Sequence, residues 1–285
     1  MFKLGIITDE MSQNLEEALA FSSENGLDCY ELRSAWEKGP FELDDEDFDI
    51  IAELTKKYGL PLVSISSPMY KCSISDIETR NAHIEGLKKL IEKSEMLEVR
   101  QIRCFDFLKE DNITQSDISK AFEEPLKLCS EAGITLLLEP EPSANSSTCK
   151  KTAETVRYIN HPNFKALYEP GNMIYTPGGD IPYPDGYDCM KDIFCHIHIK
   201  DAVVEDGNVR GVAIGSGLVD YKGIFTQLIN TGYSGAVVLE PHYKIGGTIS
   251  AELMHNPKGS AFSENGFASC KECIDAVHEI INSIK

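Results

Sequence analysis

The sequence predicts a single-domain (β/α)8 barrel. Short apolar runs rich in aliphatic and β-branched residues alternate with amphipathic segments along the whole chain, which is the pattern of buried parallel strands joined by helices. Eight such pairs occur in 285 residues, of which 42% are hydrophobic. Barrels reach this length as one domain, whereas an open doubly wound sheet, the alternative, normally uses fewer strands. We therefore expect residues 1–285 to form one barrel domain.

The predicted strands are short and mostly apolar, and several end on a polar residue. They are KLGIIT (3–8), CYEL (29–32), PLVSIS (61–66), RQIRCF (100–105), ITLLLE (134–139), FKALYE (164–169), CHIHIK (195–200) and AVVLE (236–240). The carboxyl ends of parallel barrel strands meet at one face, where barrel enzymes build their active sites. The polar strand ends are therefore the first place to look for chemistry.

The predicted helices lie between these strands and after the last one. They cover residues 14–26, 44–59, 75–97, 116–132, 150–159, 185–192, 221–232 and 268–285. The second helix begins with acids, carries Lys56 and Lys57 in its last turn and stops at Gly59, as the helix dipole and a glycine C-cap favour. Two longer irregular stretches, 171–184 and 241–266, follow strand ends, and we expect them to cover the substrate.

Composition excludes several classes of function. The formal net charge of −19, without a Lys/Arg cluster, disfavours nucleic acid and anionic membranes as partners. No run of about 18 apolar residues that could span a membrane occurs, and the turn after the first strand, TDEMSQN, lacks a dinucleotide-binding glycine pattern. The nine cysteines are scattered, which fits reduced thiols and a cytoplasmic location. A small polar molecule is the expected partner.

Four strands carry a metal-ligand residue at or near their carboxyl end: Glu139, Glu169, His198 and Glu240. A solvated strand end would explain any one of them, but four together predict convergence at the barrel mouth. Three carboxylates and an imidazole suit one divalent ion such as Mn, Mg, Co or Zn. Glu141, two residues beyond Glu139 on the same face, competes for the ligand role, and we favour Glu139.

The segment HIHIKD is the most specific local signal. Its residues His196, His198 and Lys200 alternate along a strand and so share one face. His198 lies nearer the carboxyl end and is the better ligand, while His196 is expected deeper. We expect the substrate to contact side chains at the end of this strand and of other strands. Each of these side chains alone could instead be an ordinary charged or packing residue at the rim of the barrel. The expected substrate-binding residues are Glu31, Arg33, Trp36, Lys71, His196 and Lys200.

The order of these motifs resembles the xylose-isomerase-like TIM-barrel superfamily, the sugar phosphate isomerase/epimerase family. The similarity lies in strand-Glu, EPGN, HIHIKD and strand-Glu-Pro-His, and in the opening, SPMYK and GSGLVDYKGIF segments. It implies one divalent metal held by Glu139, Glu169, His198 and Glu240, although the family usually has Asp where Glu169 stands. It further implies that Asn172 touches substrate and that homo-oligomers are common.

The resemblance implies an isomerase or epimerase that acts on a ketose or keto-polyol through an enediolate. Glu139 and Glu240 would then act as the acid–base pair that removes and returns the proton. A keto-polyol dehydratase, with Lys200 or His196 as the acid, is an alternative enzyme. A non-catalytic sugar-binding barrel is the alternative from another class, and the unusual Glu169 favours it.

Overall fold

The computed structural model describes residues 2–255 and 257–284, without the side chains of Ala251 and His255. Met1, Asn256 and Lys285, including both ends of the predicted domain, lie outside the described residues. The described strands are β1 (Lys3–Ile7), β2 (Cys29–Leu32), β3 (Leu62–Met69), β4 (Gln101–Cys104), β5 (Thr135–Leu138), β6 (Phe164–Tyr168), β7 (Phe194–Ile199), β8 (Asp201–Glu205), β9 (Asn208–Val212) and β10 (Ala236–Leu239).

Eight of these strands close a parallel barrel. The ring runs β1, β10, β7, β6, β5, β4, β3, β2 and back to β1, and the remaining two strands, β8 and β9, form a separate antiparallel hairpin. The predicted (β/α)8 fold class is therefore confirmed. Each predicted barrel strand is found close to its expected bounds; β3 differs most, because it continues to Met69.

Helices flank the barrel. They are α1 (Leu15–Glu24), α2 (Asp45–Tyr58), α3 (Ile77–Lys93), α4 (Gln115–Ala132), α5 (Cys149–Ile159), α6 (Asn172–Tyr175), α7 (Tyr187–Met190), α8 (Tyr221–Thr231), α9 (Ala251–His255), α10 (Ser260–Ser263) and α11 (Gly266–Ile284), with helical turns at Thr8–Glu10 and Pro182–Gly186. Asp44 forms a capping box at the start of α2, and Gly59 ends the helix with a φ of 65°, as the sequence signals predict. Among the described residues, no helix is both long and apolar enough to cross a membrane.

The β8–β9 hairpin was not predicted from the sequence. It is a tight hairpin whose turn residues, Asp206 and Gly207, have φ values of 51° and 79°. An Asp-Gly pair between two short runs that contain valines is a signal for such a turn, so the information was present in the sequence. The hairpin extends from the carboxyl end of β7 and brings Val209 into the wall of a cavity at the carboxyl end of the barrel.

The hydrophobic core has two parts. The larger cluster packs the strands against the surrounding helices, and a small cluster contains Ile7, Cys29, Ala236 and Val238. Val238 pairs in register with His198, and paired residues in a sheet point to the same face. Val238 of the small cluster therefore lies beside His198 on the same face of the barrel sheet.

Candidate active site

Four candidate metal ligands meet at the carboxyl end of the barrel. Glu139, Glu169 and Glu240 come directly after β5, β6 and β10, and His198 lies in β7. One ligand atom of each residue lies within 4.8 Å of those of the others, and all four residues are buried. The expected convergence of these side chains is therefore present in the structure. We call these four residues the tetrad.

The tetrad contains buried polar atoms that lack an ordinary partner. Glu169 Oε2 and His198 Nδ1 have no hydrogen-bond partner within the described part of the chain, and His198 Nδ1 lies 3.8 Å from Glu139 Oε1 and 3.9 Å from Glu240 Oε2. Native proteins rarely leave such atoms unsatisfied. Three carboxylates and one imidazole facing a common point fit a divalent cation well.

Glu31 fixes the orientation of the His198 ring. Its Oε2 accepts hydrogen bonds from Nε2 of His198 at 3.0 Å and from Nε2 of His196 at 2.7 Å, and its Oε1 accepts one from Ser66 Oγ at 2.5 Å. Burial opposes ionisation of Glu31, but the two imidazoles outweigh burial and hold its pKa well below the usual range. A carboxylate behind a ligand histidine is the common support for a metal site.

Cations neutralise the carboxylates of the tetrad. Lys200 Nζ donates to Glu240 Oε2 at 2.6 Å and lies 3.7 Å from Glu169 Oε2, while Arg103 Nη1 lies 3.1 Å from Glu139 Oε2. Burial disfavours the charged form of Glu240, but Lys200 and other nearby cations hold its pKa well below normal. For Glu169, burial prevails over the attraction of Lys200 and raises the pKa to about 7.

Arg33 belongs to a buried ion network beside the tetrad. Its guanidinium donates to Glu240 Oε1 at 2.7 Å and to Glu10 Oε1 at 2.7 Å, and lies 2.9 Å from Asp9 Oδ1. Glu10, Glu240 and His242 also form a cluster that could hold a cation. Arg33 Nη1 lies 3.2 Å from His242 Nε2, so the guanidinium already supplies positive charge there.

A cavity of about 700 Å³ opens above the tetrad. Its floor contains the buried side chains of Glu139, Glu240 and Lys200, together with Asn172, whose Nδ2 donates to Pro140 O at 2.7 Å and to Glu139 Oε1 at 3.4 Å. Lys71 lies higher, 3.5 Å from Glu141. Five half-buried apolar residues, which we call the outer wall, lie further out: Phe41, Val209, Ile249, Met254 and Pro257.

Several residues predicted to bind substrate do line this cavity, namely Arg33, Lys71, Asn172 and Lys200. Glu31, Trp36 and His196 are not among its lining residues. Glu31 and His196 are fully buried and hydrogen-bonded to each other. Trp36 packs against the hydrophobic core. The geometry therefore gives no support to direct substrate contact by these three residues. Glu141 also lines the cavity but lies outside the tetrad.

Sequence reasoning missed other ionisable groups of the site: Asp9, Glu10, Arg103 and His242. Asp9 and Glu10 come directly after the predicted strand 3–8 and lie in the helical turn that follows β1, so a search for acids just beyond strand ends would have found them. Arg103 stands inside an apolar strand, where a buried charge requires a partner. His242 belongs to the strand-Glu-Pro-His motif but was given no role.

Curated relatives of this chain are sugar epimerases. The L-ribulose-5-phosphate 3-epimerase UlaE of Escherichia coli strain K12 is 24% identical over 169 residues, which make up 58% of this chain and 58% of the relative. The chain thus matches less than two thirds of the length of these relatives.

Solved structures share the fold along nearly the whole chain. D-allulose 3-epimerase from Methylomonas sp. has a TM-score of 0.73 at 15% identity and 98% coverage of both chains. The IolI protein with a bound zinc atom has a TM-score of 0.74 at 16% identity, with 100% of this chain and 99% of that chain covered. The probable 3-DHS dehydratase AsbF from Bacillus anthracis has a TM-score of 0.72 at 18% identity, with 97% of this chain and 99% of that chain covered.

A sequence model of the xylose isomerase-like TIM barrel family matches residues 19–261. This match covers well over half of the chain and contains the entire tetrad. The protein therefore belongs to the xylose isomerase-like TIM barrel family.

Proposed function

We propose that this protein is a divalent-metal-dependent epimerase or isomerase of a ketose or keto-polyol. The observation that carries the proposal is the tetrad, in which four buried ligand atoms lie within 4.8 Å of one another. Both the epimerase relatives and the zinc atom of a structural neighbour support it. A cytoplasmic location and a homo-oligomeric state remain predictions.

The proposed ligands are Glu139, Glu169, His198 and Glu240. When bound, the ion would act as a Lewis acid toward the substrate's carbonyl and neighbouring hydroxyl oxygens and lower the pKa of the adjacent C–H. Lys200 and Arg103 would balance the charge of the carboxylates. Asn172, whose Nδ2 already donates to Pro140 O and Glu139 Oε1, would hold this carboxylate in position and could accept a hydrogen bond from a substrate hydroxyl group through Oδ1.

Glu139 and Glu240 would exchange the proton. They follow β5 and β10, which are three strands apart in the ring, and so approach the centre of the tetrad from different sides. One carboxylate would take the proton from carbon and leave a planar enediolate, and the other, in its protonated form, would return a proton to the opposite face. Return to the opposite face inverts the carbon, which is the outcome of epimerisation.

The test combines metal analysis with proton exchange. Purified protein loaded with Mn²⁺ should retain about one equivalent of metal and should exchange the C3 proton of D-allulose or L-ribulose 5-phosphate for deuterium in D₂O, as NMR would show. Glu240→Gln should lower this exchange by several orders of magnitude, because an amide cannot take up the proton.

Controls separate loss of chemistry from loss of metal. Metal content must be measured for Glu240→Gln beside the rate, and Glu205→Gln, which alters an exposed carboxylate paired with Arg210, should behave as wild type. A Glu240→Gln variant that holds metal and exchanges at the wild-type rate would remove Glu240 from the acid–base role. Wild-type protein that binds no metal would favour a non-catalytic sugar-binding barrel.

A keto-polyol dehydratase is a second candidate, and the position of Lys200 favours it. Lys200 lines the cavity and contacts Glu240, so its ammonium could protonate a departing hydroxyl group. His196, the other predicted acid, is fully buried and is poorly placed for this step. Ultraviolet absorbance of an enone or diketone product would identify the lyase, whereas an epimerase gives none.

A further inference from the structure

The cavity above the tetrad changes in character from the inside outward. The lining residues near the tetrad, such as Arg33, Arg103 and Lys200, are charged and buried. The outer wall, made of Phe41, Val209, Ile249, Met254 and Pro257, is apolar and half-buried. A ligand that fills the cavity therefore meets polar groups at one end and apolar groups at the other.

The cavity is larger than a simple sugar. Its volume is about 700 Å³, within the range of roughly 300–1,000 Å³ that is typical of pockets for drug-sized ligands. A free pentulose or hexulose is much smaller than such a ligand and would occupy only the polar floor. The outer wall would then remain uncovered by substrate.

The outer part of the cavity is poorly suited to a phosphate group. The two lysines that line it outside the floor both have carboxylate partners: Lys71 lies 3.5 Å from Glu141, and Lys258 pairs with Glu42 at the exposed rim. The chain also carries a net charge of −19, which repels anions at long range. A dianion would have to compete with these acids for the same cations.

We propose that the substrate is a keto-sugar that carries an apolar substituent, such as an aryl or alkyl glycoside, and that the outer wall binds the substituent. This inference rests on the proposed function, because it places the keto-sugar unit over the tetrad. The outer wall supplies aliphatic, aromatic and thioether groups from three separate segments, namely the β2–α2 loop, the β8–β9 hairpin and the segment after β10. Such surfaces bind apolar groups by removing their area from water.

The direct test compares two probes that differ only in the substituent. Phenyl and methyl 3-keto-β-D-glucopyranoside would be titrated calorimetrically into Mn²⁺-loaded protein, beside L-ribulose 5-phosphate. The phenyl compound should bind about 10–100-fold more tightly than the methyl compound, as expected for burial of one aromatic ring. Equal affinity for the two glycosides, or tighter binding of the phosphorylated ketose, would overturn the inference.

Two variants of the outer wall locate the substituent. Phe41→Ala and Met254→Ala should each reduce the ratio of phenyl to methyl affinity several-fold. Phe41 packs on Gly86, where an added β-carbon would lie 2.5 Å from its ring, so Met254→Ala provides the measurement if Phe41→Ala does not fold. Ile245→Ala, a substitution in the same segment as Met254 at an exposed residue that does not line the cavity, should leave the ratio unchanged. An unchanged ratio in Met254→Ala would contradict the assignment.

Binding and catalysis distinguish this inference from the proposed function. Tight binding of the phenyl keto-sugar without proton exchange would support the apolar subsite and contradict the epimerase. Proton exchange with a free or phosphorylated ketose, without any preference for the phenyl group, would support the epimerase and overturn the apolar subsite.

Discussion

His198 donates a hydrogen bond from Nε2 to Oε2 of Glu31 at 3.0 Å, because an ionised carboxylate can only accept. This contact holds a proton on Nε2, so Nδ1, which faces Glu139 and Glu240, is the nitrogen that can lose its proton and bind a metal. The sequence placed Glu31 among the groups that touch substrate. The structure instead puts it behind a candidate ligand, where it determines which nitrogen is available to a metal.

Glu31→Gln should therefore weaken metal binding by about 10–100-fold, the usual effect of losing the partner behind a ligand histidine. The amide oxygen could still accept from His196 and His198, but it carries no negative charge, so both charge-assisted hydrogen bonds would be weakened. Isothermal titration with Mn²⁺ and the metal-dependent gain in melting temperature would measure the change. Ser66→Ala, which removes a hydrogen bond to the other oxygen of Glu31, is the matched control and should have a smaller effect. Wild-type affinity in Glu31→Gln would contradict the proposed support.

Glu169→Gln should produce opposite changes in metal-free and metal-loaded protein. Without metal, burial and the charges of Glu139 and Glu240 disfavour the ionised form of Glu169 and raise its pKa to about 7, so the neutral amide should raise the melting temperature above pH 7. With metal, the amide is a weaker ligand, so the gain in melting temperature on adding Mn²⁺ should shrink.

Differential scanning calorimetry with and without Mn²⁺ would measure both the rise in melting temperature of metal-free Glu169→Gln and the smaller gain in melting temperature on adding metal. Glu141→Gln is the matched control, since Glu141 lies near Glu139 but outside the tetrad. It should leave the metal-dependent gain intact. If Glu141→Gln abolishes that gain and Glu169→Gln does not, the ligand set is wrong.

The barrel and the tetrad could be predicted from the sequence because each depends on a local pattern. Apolar runs mark the strands, and parallel strands bring their carboxyl ends together, so Glu139, Glu169 and Glu240 required no knowledge of distant contacts. The partners of these residues could not be inferred in this way. The pairing of Glu31 with His198 depends on two side chains 167 positions apart, and the division of the cavity into a polar floor and an apolar outer wall depends on how three separate segments meet.

Arg33 and Lys71 should respond differently to substitution, although the sequence placed them in the same group. Arg33 is buried among Asp9, Glu10 and Glu240, and breaking a buried ion network typically costs about 3–5 kcal/mol because the remaining charges are left uncompensated. Lys71 is partly exposed and pairs with Glu141 at 3.5 Å, a geometry that contributes at most about 1 kcal/mol.

Arg33→Ala should therefore lower the free energy of unfolding by several kcal/mol, whereas Lys71→Ala should change it little and should act mainly on the KM of the substrate. Urea denaturation of both variants, beside steady-state kinetics, would measure these effects. Equal losses of stability would show that Lys71 also has a structural role. Full stability of Arg33→Ala would show that the buried network is not required for folding.

Ionisation of Asp106 should lower the free energy of unfolding as the pH rises from about 4 to 7. This carboxylate follows β4, is fully buried and accepts hydrogen bonds from Ser146 N at 2.8 Å and Ser146 Oγ at 2.5 Å. Burial outweighs these bonds and raises its pKa from 3.8 to about 6. Because the folded state holds this proton more tightly, the stabilising contribution is complete below pH 3.8 and is lost as the pH rises through about 6.

The difference between wild type and Asp106→Asn isolates this group from the other carboxylates. The amide does not titrate, so wild type should lose up to about 3 kcal/mol relative to the variant between pH 4 and pH 7. Urea denaturation at a series of pH values would measure it. Asp117→Asn is the control, because hydrogen bonds from Thr114 lower the pKa of this exposed carboxyl group. The stability that Asp117 contributes is therefore lost only as the pH falls. Above pH 5, the plot of unfolding free energy against pH for Asp117→Asn should run parallel to that of wild type. Parallel curves for wild type and Asp106→Asn would show that Asp106 is ionised throughout this range and that its hydrogen bonds to Ser146 outweigh burial.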